Sequence, residues 1–395
     1  MIALVAVALF TNTTQVESIA VAGAFLWAAT GGGVEEYALP GGDRRRLYTT
    51  LDGLPSNLVL RVWHDGSLHV RTAGAACVLG RDRFDCAPAP PLARELPAPG
   101  QRYRGARETG RIAWGRHLIV ATSEGVFLDG RRLTPEGQVC GNQISALAAY
   151  DGRVWAGSFD QGLCVLEGGA WRTPRTPFGM VNDLCPTPRG LYVAAAEGLF
   201  LTRDGRTFRR EWRVRQRGAN RLAASHRWLL VTTPASLYAV RLEGRDIVKR
   251  FRRPGGSTAL QAVALNGAEI WLASEDRGII RMRGQKFEIF DKAAGLPSSW
   301  MVDVAPSRDG GIWAATLRDG AVELGRDGQL RAALRPDAWG LRLYRDGERV
   351  LFGTQQGLEG AGPTALPNPH VHALLRTGDV LWIGTEGGLV QQLSR

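Results

Sequence analysis

The chain has 395 residues and carries 49 Lys and Arg against 38 Asp and Glu, a formal net charge of +11. Hydrophobic residues make up 44% of the chain and charged residues 22%, which excludes global disorder and allows a large core. The sequence has no run of 18 apolar residues and no kinase, Walker or zinc-ligand motif, so we predict no spanning helix and none of those activities.

Residues 1–10 form a short apolar run that ends at Phe10. The run resembles the apolar centre of a signal peptide, with small residues nearby, but it lacks the basic segment that precedes such a centre. A short run rich in Val and Ala is also typical of a buried β-strand. Both interpretations stay open: residues 1–10 are either a signal-like segment or an apolar strand that closes the fold predicted for residues 11–395.

The five cysteines are Cys77, Cys86, Cys140, Cys164 and Cys185, and an odd number leaves at least one unpaired within the chain. Cys77 and Cys86 flank the four residues 80–83. If these four residues form a hairpin loop, the two cysteines lie opposite each other within disulfide reach. Such a disulfide would suit a secreted protein, and the alternative is a pair of small buried apolar side chains.

Ten similar units recur along the chain at a spacing of about 39 residues. Each unit has an apolar strand, a Gly-containing turn, an apolar stretch ending in a small residue or Thr, and a third strand. Asp-Gly turns such as Asp151-Gly152 join several of the strands. No segment shows a sustained 3.6-residue period, so the fold class is all-β. A four-stranded antiparallel unit of this length is typical of a β-propeller blade. We expect five tryptophans to be core residues and not ligand contacts: Trp27, Trp155, Trp271, Trp313 and Trp382.

The number of blades is open between seven and ten. Ten units exceed the usual four to eight blades, so the chain forms either a ten-bladed ring or a smaller ring in which some units are degenerate. The last unit lacks an outer strand, which residues 1–10 would supply. Two rings of five are less favoured, because the chain has one long linker, over residues 87–106.

Two linkers between units read Gly53-Leu-Pro-Ser-Asn57 and Gly295-Leu-Pro-Ser-Ser299, and the last unit reads Leu381-Trp-Ile-Gly-Thr-Glu-Gly-Gly-Leu389. This combination resembles the two-component-regulator propeller repeat, which occurs in sensor regions of bacterial hybrid histidine kinases and in stand-alone secreted proteins. The resemblance covers nearly the whole chain. It implies a propeller with a sensing or binding role, and it offers no catalytic residues. The sequence ends at Arg395 without a kinase, so we expect any signal to pass through a partner.

Residues 203–253 contain 15 basic and four acidic residues, a net charge of +11 that equals the charge of the whole chain. Two outer strands are predicted here, and the period of two places alternate residues of the first on one face. The six candidate anion-binding residues are Arg213, Arg215, Arg217, Arg250, Arg252 and Arg253. They would bind an acidic glycan, a lipid headgroup or nucleic acid, although no nucleic-acid motif accompanies them. The alternative is a solvated edge strand whose charge prevents aggregation.

His370 and His372 are two residues apart and would share one face of a strand. No carboxylate or Cys stands close to them in sequence to complete a metal site, so we predict no metal and no cofactor. Carboxylates from distant units could still meet at the end of a central channel.

The sequence therefore predicts a non-enzymatic propeller that acts as a ligand- or protein-binding sensor or scaffold module. We expect a monomer with a protein partner or an anionic glycan as ligand, and a periplasmic or extracellular location, otherwise a cytoplasmic one. The alternative is a carbohydrate-active lyase or hydrolase on the same scaffold, so enzymatic activity stays open.

Overall fold

A computed structural model describes residues 7–92, 101–243, 248–362 and 364–393, which form ten antiparallel β-sheets. Within these ranges the helices are three short 3-10 turns: Thr50–Asp52, Pro254–Gly256 and Lys292–Ala294. The prediction of an all-β chain built from four-stranded units is thus confirmed. No helix in these ranges is long and apolar enough to cross a membrane.

The first strand, β1 (Val7–Phe10), stands apart from the sheets that follow it directly in sequence. Sheet 1 contains β2 (Val16–Ala22), β3 (Phe25–Thr30), β4 (Gly33–Ala38) and β5 (Asp43–Tyr48). Sheet 2 contains β6 (Arg61–His64), β7 (Leu68–Arg71), β8 (Ala75–Leu79) and β9 (Phe84–Pro88). Sheet 3 contains β10 (Arg102–Tyr103), β11 (Ala106–Trp114), β12 (His117–Thr122), β13 (Gly125–Leu128) and β14 (Arg131–Arg132).

The next four sheets have four strands each. Sheet 4 contains β15 (Ile144–Tyr150), β16 (Arg153–Ser158), β17 (Gly162–Glu167) and β18 (Ala170–Arg172). Sheet 5 contains β19 (Val181–Thr187), β20 (Gly190–Ala195), β21 (Gly198–Thr202) and β22 (Arg209–Arg210). Sheet 6 contains β23 (Leu222–Ala224), β24 (Trp228–Thr233), β25 (Ser236–Arg241) and β26 (Val248–Arg252). Sheet 7 contains β27 (Leu260–Asn266), β28 (Glu269–Ser274), β29 (Ile279–Arg283) and β30 (Lys286–Phe290).

The last three sheets complete the chain. Sheet 8 contains β31 (Met301–Pro306), β32 (Ile312–Thr316), β33 (Ala321–Leu324) and β34 (Leu330–Leu334). Sheet 9 contains β35 (Gly340–Asp346), β36 (Arg349–Thr354) and β37 (Leu358–Glu359). Sheet 10 contains β38 (Val371–Thr377), β39 (Val380–Thr385) and β40 (Gly388–Leu393), and β1 pairs antiparallel with β40 as its outer strand.

Tight Asp-Gly turns join many first and second strands, as the sequence indicates. Between β15 and β16, Asp151 has φ of 53° and Gly152 has φ of 69°. Two consecutive positive φ angles match the right-handed twist of a hairpin, and Asp and Gly tolerate them best. The register is Tyr150 opposite Arg153, so the turn has two residues.

Sheets 4 to 10 close into a ring, because each of them shares a hydrophobic cluster with the sheet on either side. The closing contact is between sheets 10 and 4. There the Cα of Gly384 lies so close to Ile144 that an added Cβ would approach the Ile144 side chain to 2.6 Å. A small residue at the end of the second strand therefore lets neighbouring sheets meet. The ring, defined as β15–β40 together with β1, has seven sheets, and the ten-bladed ring considered from the repeat count does not form.

Sheets 1 to 3 lie outside the ring and make a row of three, here called the three-sheet extension. Sheet 1 is in the middle: one hydrophobic cluster joins it to sheet 2 and another joins it to sheet 3. The chain enters and leaves the extension side by side. Asn12 N donates to Asn142 Oδ1 at 2.7 Å, and Asn142 Nδ2 donates back to Asn12 O at 2.8 Å. Asn57 Nδ2 adds a buried contact to Gly387 O of sheet 10, at 2.9 Å.

The tryptophans expected in the core lie there. Trp155 and Trp271 are fully buried, and Trp27 and Trp382 are 7% and 4% exposed. Trp313 is partly buried and packs against the cluster between sheets 8 and 9. These side chains pack between neighbouring sheets, where burial of a large aromatic contributes most to stability.

Candidate functional site

The basic segment adopts a different local structure from the one predicted. Residues 212–217 are turns and not an outer strand, because β22 ends at Arg210 and the chain then bends back towards sheet 6. Val214 is 1% exposed and belongs to the cluster between sheets 5 and 6. Burial of this one side chain holds the turns in place, so the strand-like alternation of Arg213, Arg215 and Arg217 is wrong.

The predicted arginines nevertheless approach one another around a single hairpin, residues 233–236 of sheet 6. Thr233 Oγ1 donates to Gln216 Oε1 at 2.6 Å, which places Arg215 and Arg217 beside this hairpin. Arg253 N donates to Ala235 O at 3.1 Å. The second predicted outer strand exists as β26, and its Arg252 lies opposite Ser236.

Strand alternation also turns the arginines of β26 towards the turns at residues 212–217. Val248 packs into the cluster between sheets 5 and 6, so Arg250 and Arg252 lie on that same side of the strand. Arg250 Nε donates to Ser236 Oγ at 3.1 Å, and its guanidinium lies 5.3 Å from the centre of the Tyr238 ring. The six candidates therefore come from one corner of the ring, between sheets 5 and 6.

Charge pairing separates Arg213 from the other five. Its guanidinium donates two bonds to Glu211, at 2.7 and 2.6 Å, so its charge is balanced. Among the described residues no carboxylate lies within ion-pair distance of the five remaining arginines, which we call the arginine cluster: Arg215, Arg217, Arg250, Arg252 and Arg253.

Some other arginines of the ring form ion pairs with carboxylates. Arg153 and Arg172 both bind Glu167, and their hydrogen bonds lower the pKa of that carboxyl to about 2. Arg376 forms an ion pair with Asp346 that likewise lowers the pKa of the aspartate. The five side chains of the arginine cluster, in contrast, have no carboxylate within ion-pair distance among the described residues.

A second group of charges, which sequence reasoning missed, lies on or directly before the first strands of the sheets, around the ring axis. Arg342 Nη2 lies 3.5 Å from Asp183 Oδ1, although the two residues are 159 positions apart. Arg342 Nε lies 3.7 Å from Asp303 Oδ2. The pKa of Arg342 is raised overall. Burial alone would lower it, but the negative charges of Asp303 and Asp183 outweigh the effect of burial.

Both aspartates also bond the backbone of the next first strand. Asp183 Oδ2 accepts from Leu222 N at 2.9 Å, and Asp303 Oδ2 accepts from Leu343 N at 2.8 Å. Each carboxylate therefore links two neighbouring sheets as well as holding Arg342. A fourth charge, Arg221, completes this group, which we call the axial quartet.

His370 and His372 meet a carboxylate that sequence reasoning missed. His370 Nδ1 lies 2.9 Å from Glu386 Oε2, and His372 Nε2 lies 2.9 Å from Glu386 Oε1. Glu386 is in the β39–β40 hairpin, which folds back beside β38. Hydrogen bonding to His372 lowers the pKa of Glu386, and the bond to His370 adds to the effect. Within the described ranges no group of three His, Cys, Asp or Glu side chains is arranged to hold a metal ion.

The cysteines form two disulfides. Cys77 lies directly opposite Cys86 in the β8–β9 pair, with an S–S distance of 1.99 Å. The second, between Cys140 and Cys164 with an S–S distance of 2.36 Å, was not anticipated, because it joins a linker to β17. Cys185 is free and buried, and burial raises the pKa of its thiol to about 12.

Seven antiparallel sheets closed around an axis, with their first strands innermost, define a β-propeller. No family model and no curated protein sequence matches the chain. Among solved structures, it is similar to an extracellular domain assigned to the hybrid two-component system BT4673 from B. thetaiotaomicron. The identity is 12% and the TM-score 0.54, over 96% of this chain and 70% of that one.

A second extracellular domain of this kind, BT3049 from the same organism, is 13% identical with a TM-score of 0.55, over 93% of this chain and 60% of that one. Virginiamycin B lyase from Staphylococcus aureus is 13% identical with a TM-score of 0.52, over 64% of this chain and 95% of the lyase. These likenesses show the fold. The first two are consistent with the resemblance to the two-component-regulator propeller repeat.

Proposed function

We propose that the chain is a non-enzymatic binding module, a sensor or scaffold, whose ligand is an anionic polymer such as an acidic glycan. One observation carries this proposal: five arginines without carboxylate partners among the described residues converge on one hairpin of the ring. Guanidinium groups match sulfate and carboxylate groups in geometry, and an unpaired cluster gains more from an anion than a neutralised one does. Nucleic acid is disfavoured because no nucleic-acid motif accompanies the cluster.

The setting that we propose is periplasmic or extracellular, with signal output through a protein partner. Two observations support it. The chain shares its fold with domains described as extracellular parts of two-component systems. It also holds two disulfides, which form and persist in oxidising compartments.

A second candidate function is a lyase or hydrolase, and one specific observation favours it. His370, His372 and Glu386 lie together where sheet 10 meets sheet 4, and His372 is on a first strand of the ring. Imidazole and carboxylate groups at hydrogen-bond distance are the usual means of general acid and base catalysis. Steady degradation of a polysaccharide by the purified chain, abolished by His372→Ala, would establish this function in place of the first.

The test of the binding proposal measures affinity for heparin, a sulfated polysaccharide, over a salt series. We expect the wild-type affinity to fall steeply with salt, because each anion contact releases a counterion. Arg215→Glu/Arg217→Glu should bind at least about tenfold more weakly and with a shallower salt slope.

The matched control is Arg45→Glu/Arg116→Glu, which makes the same change in net charge at two exposed arginines of the three-sheet extension. Equal losses in the two double variants would mean that net charge alone attracts the polymer. That result would contradict a site at the arginine cluster.

A further inference from the structure

The axial quartet is neutral in total but is not evenly paired. Arg342 takes both carboxylates, with Asp183 on one side and Asp303 on the other. Arg221 has no carboxylate within ion-pair distance among the described residues. Its one hydrogen bond from the guanidinium runs from Nη1 to Asn182 O, at 2.7 Å. One of the two axial guanidinium groups therefore lacks a counter-ion at ion-pair distance within the described part of the chain.

The surroundings of Arg221 make this missing counter-ion costly. Desolvation lowers the pKa of Arg221, and the nearby charge of Arg342 lowers it further. The charges of Asp303 and Asp183 act in the opposite direction, but they do not restore the pKa to its ordinary value. A partly desolvated cation beside a like charge is stabilised strongly by an anion that can reach it.

A cavity of about 260 Å³ adjoins the quartet. Besides the quartet, its lining includes the charged Arg345 and the phenol of Tyr344. The other lining residues are apolar, with Val263 and Val304 among them. Pockets for drug-sized ligands measure roughly 300–1,000 Å³, so this one suits a smaller molecule. Apolar walls with a few converging polar groups are the usual composition of a small-molecule site.

The charges also indicate the kind of ligand. A single carboxylate would satisfy Arg221, whereas a phosphate dianion would meet the two aspartate charges close by. The carboxylates of Asp183 and Asp303 can accept hydrogen bonds, so hydroxyl groups on the ligand would add to binding. A molecule with one carboxylate and several hydroxyl groups meets each of these requirements.

We propose that the ring binds a small hydroxylated monocarboxylate in the axial cavity, with the carboxylate of the ligand against the guanidinium of Arg221. This site is separate from the arginine cluster and does not depend on polymer binding. Binding at the axis would join sheets 5, 6, 8 and 9 through one ligand, because the quartet residues come from these four sheets.

The experiment uses four probes with the wild-type chain, each titrated by calorimetry: D-gluconate, D-glucitol, hexanoate and inorganic phosphate. Glucitol lacks only the carboxylate of gluconate, and hexanoate lacks only its hydroxyl groups. We expect gluconate to bind saturably and hexanoate to bind more weakly than gluconate. Glucitol and phosphate should each bind at least about tenfold more weakly than gluconate. Phosphate bound as tightly as gluconate, or no gluconate binding up to about 10 mM, would overturn the proposal.

Arg221→Met should lower the affinity for gluconate at least about tenfold, because it removes the charge and keeps the length of the side chain. The matched control, Arg277→Met, changes an exposed arginine of sheet 7 outside the cavity and should bind gluconate as the wild type does. Unchanged binding by a folded Arg221→Met would contradict the site.

A second measurement keeps the proposal testable if Arg221→Met does not fold. In wild-type protein, gluconate should shift the Arg221 Nε resonance in ¹H–¹⁵N spectra, and glucitol should not. Absence of that shift at saturating gluconate would overturn the assignment. Heparin binding is measured separately with Arg215→Glu/Arg217→Glu, so failure of either proposal leaves the other intact.

Discussion

The ring and the three-sheet extension are built from the same repeat, but they cover their sheets differently. In the ring each sheet packs against a neighbour on both faces. The contact of Gly384 with Ile144 joins the last sheet to the first, so no sheet of the ring is terminal. Among the described residues of the extension, only sheet 1 shares hydrophobic clusters with two other sheets. Sheet 2 keeps an open face, where Val78 is 40% exposed and Trp63 stacks on His69 at 5.0 Å between ring centres. Closure, more than local sequence, decides whether the second face of a sheet is buried.

The largest effect that we expect comes from the disulfides, one in each region. Cys140→Ser/Cys164→Ser opens a loop of 24 residues in the ring, and loss of loop-closure entropy should lower its free energy of unfolding by about 3–4 kcal/mol. Cys77→Ser/Cys86→Ser should leave unfolding of the ring unchanged, since that disulfide lies in sheet 2. Urea denaturation followed by tryptophan fluorescence measures both, and equal effects on the ring would mean that the two regions unfold as one unit.

The next effect tests the closing strand. Phe10 of β1 packs between Trp171 and Trp382, with ring centres 5.9 and 6.2 Å away. Phe10→Ala should lower the free energy of unfolding by about 2–3 kcal/mol, less than for a fully buried Phe. The control is Phe25→Ala in sheet 1. The Phe25 side chain is 40% exposed, so the loss of unfolding free energy should stay below about 1 kcal/mol. A larger loss at Phe25 would contradict the role of β1 in stabilising the ring.

A smaller effect should follow removal of the extension. Residues 12 and 142 bond to each other, so a short linker in place of residues 14–137 would join chain ends that already lie together. We expect the shortened chain to unfold cooperatively. Its Tm should lie within about 5 °C of the Tm for unfolding of the ring in the full-length chain. The isolated extension should be far less stable, because among its described residues two of the three sheets share a hydrophobic cluster with one neighbour only. Calorimetry of both fragments tests this. A shortened chain without a cooperative unfolding transition would contradict the prediction that the ring folds without the extension.

The smallest expected effect is a pH dependence at Glu386. Its pKa is lowered in the folded state, so the stabilisation that it gives is present above its ordinary value near 4.5 and is lost as pH falls through the folded pKa. Glu386→Gln should therefore be less stable than wild type at neutral pH and approach it at acid pH. Unfolding free energies measured from pH 3 to 7 would show this convergence, and a constant difference would exclude titration of Glu386 as its cause.

Features set by neighbouring strands could be predicted from the sequence. The repeat, the Asp-Gly turns and the opposition of Cys77 and Cys86 all follow from a period of two and a short turn. The arginines at residues 213–217 show the limit of this reasoning, because the burial of Val214 in a core outside its own sheet overrode the local alternation.

Contacts between sheets could not be predicted in this way. Arg342 and Asp183 are 159 residues apart, and their meeting depends on how many sheets the ring contains. Glu386 follows His372 by only 14 residues, yet its approach depends on the fold of the β39–β40 hairpin. A repeat count gives the number of sheets, while the packing between distant sheets decides which of them belong to the ring.

The pairing of β1 with β40 also bears on the order in which the protein forms during synthesis. Val7 pairs with Gln392, so the ring cannot close until β40 has been made. The extension, in contrast, is complete at β14, long before the last sheet emerges from the ribosome. Contacts of such long sequence separation form slowly, and unpaired strand edges are open to aggregation while they wait. On the ribosome, the three-sheet extension is therefore completed before the ring. The β1 strand stays unpaired until β40 is made, so it is the segment most exposed to aggregation.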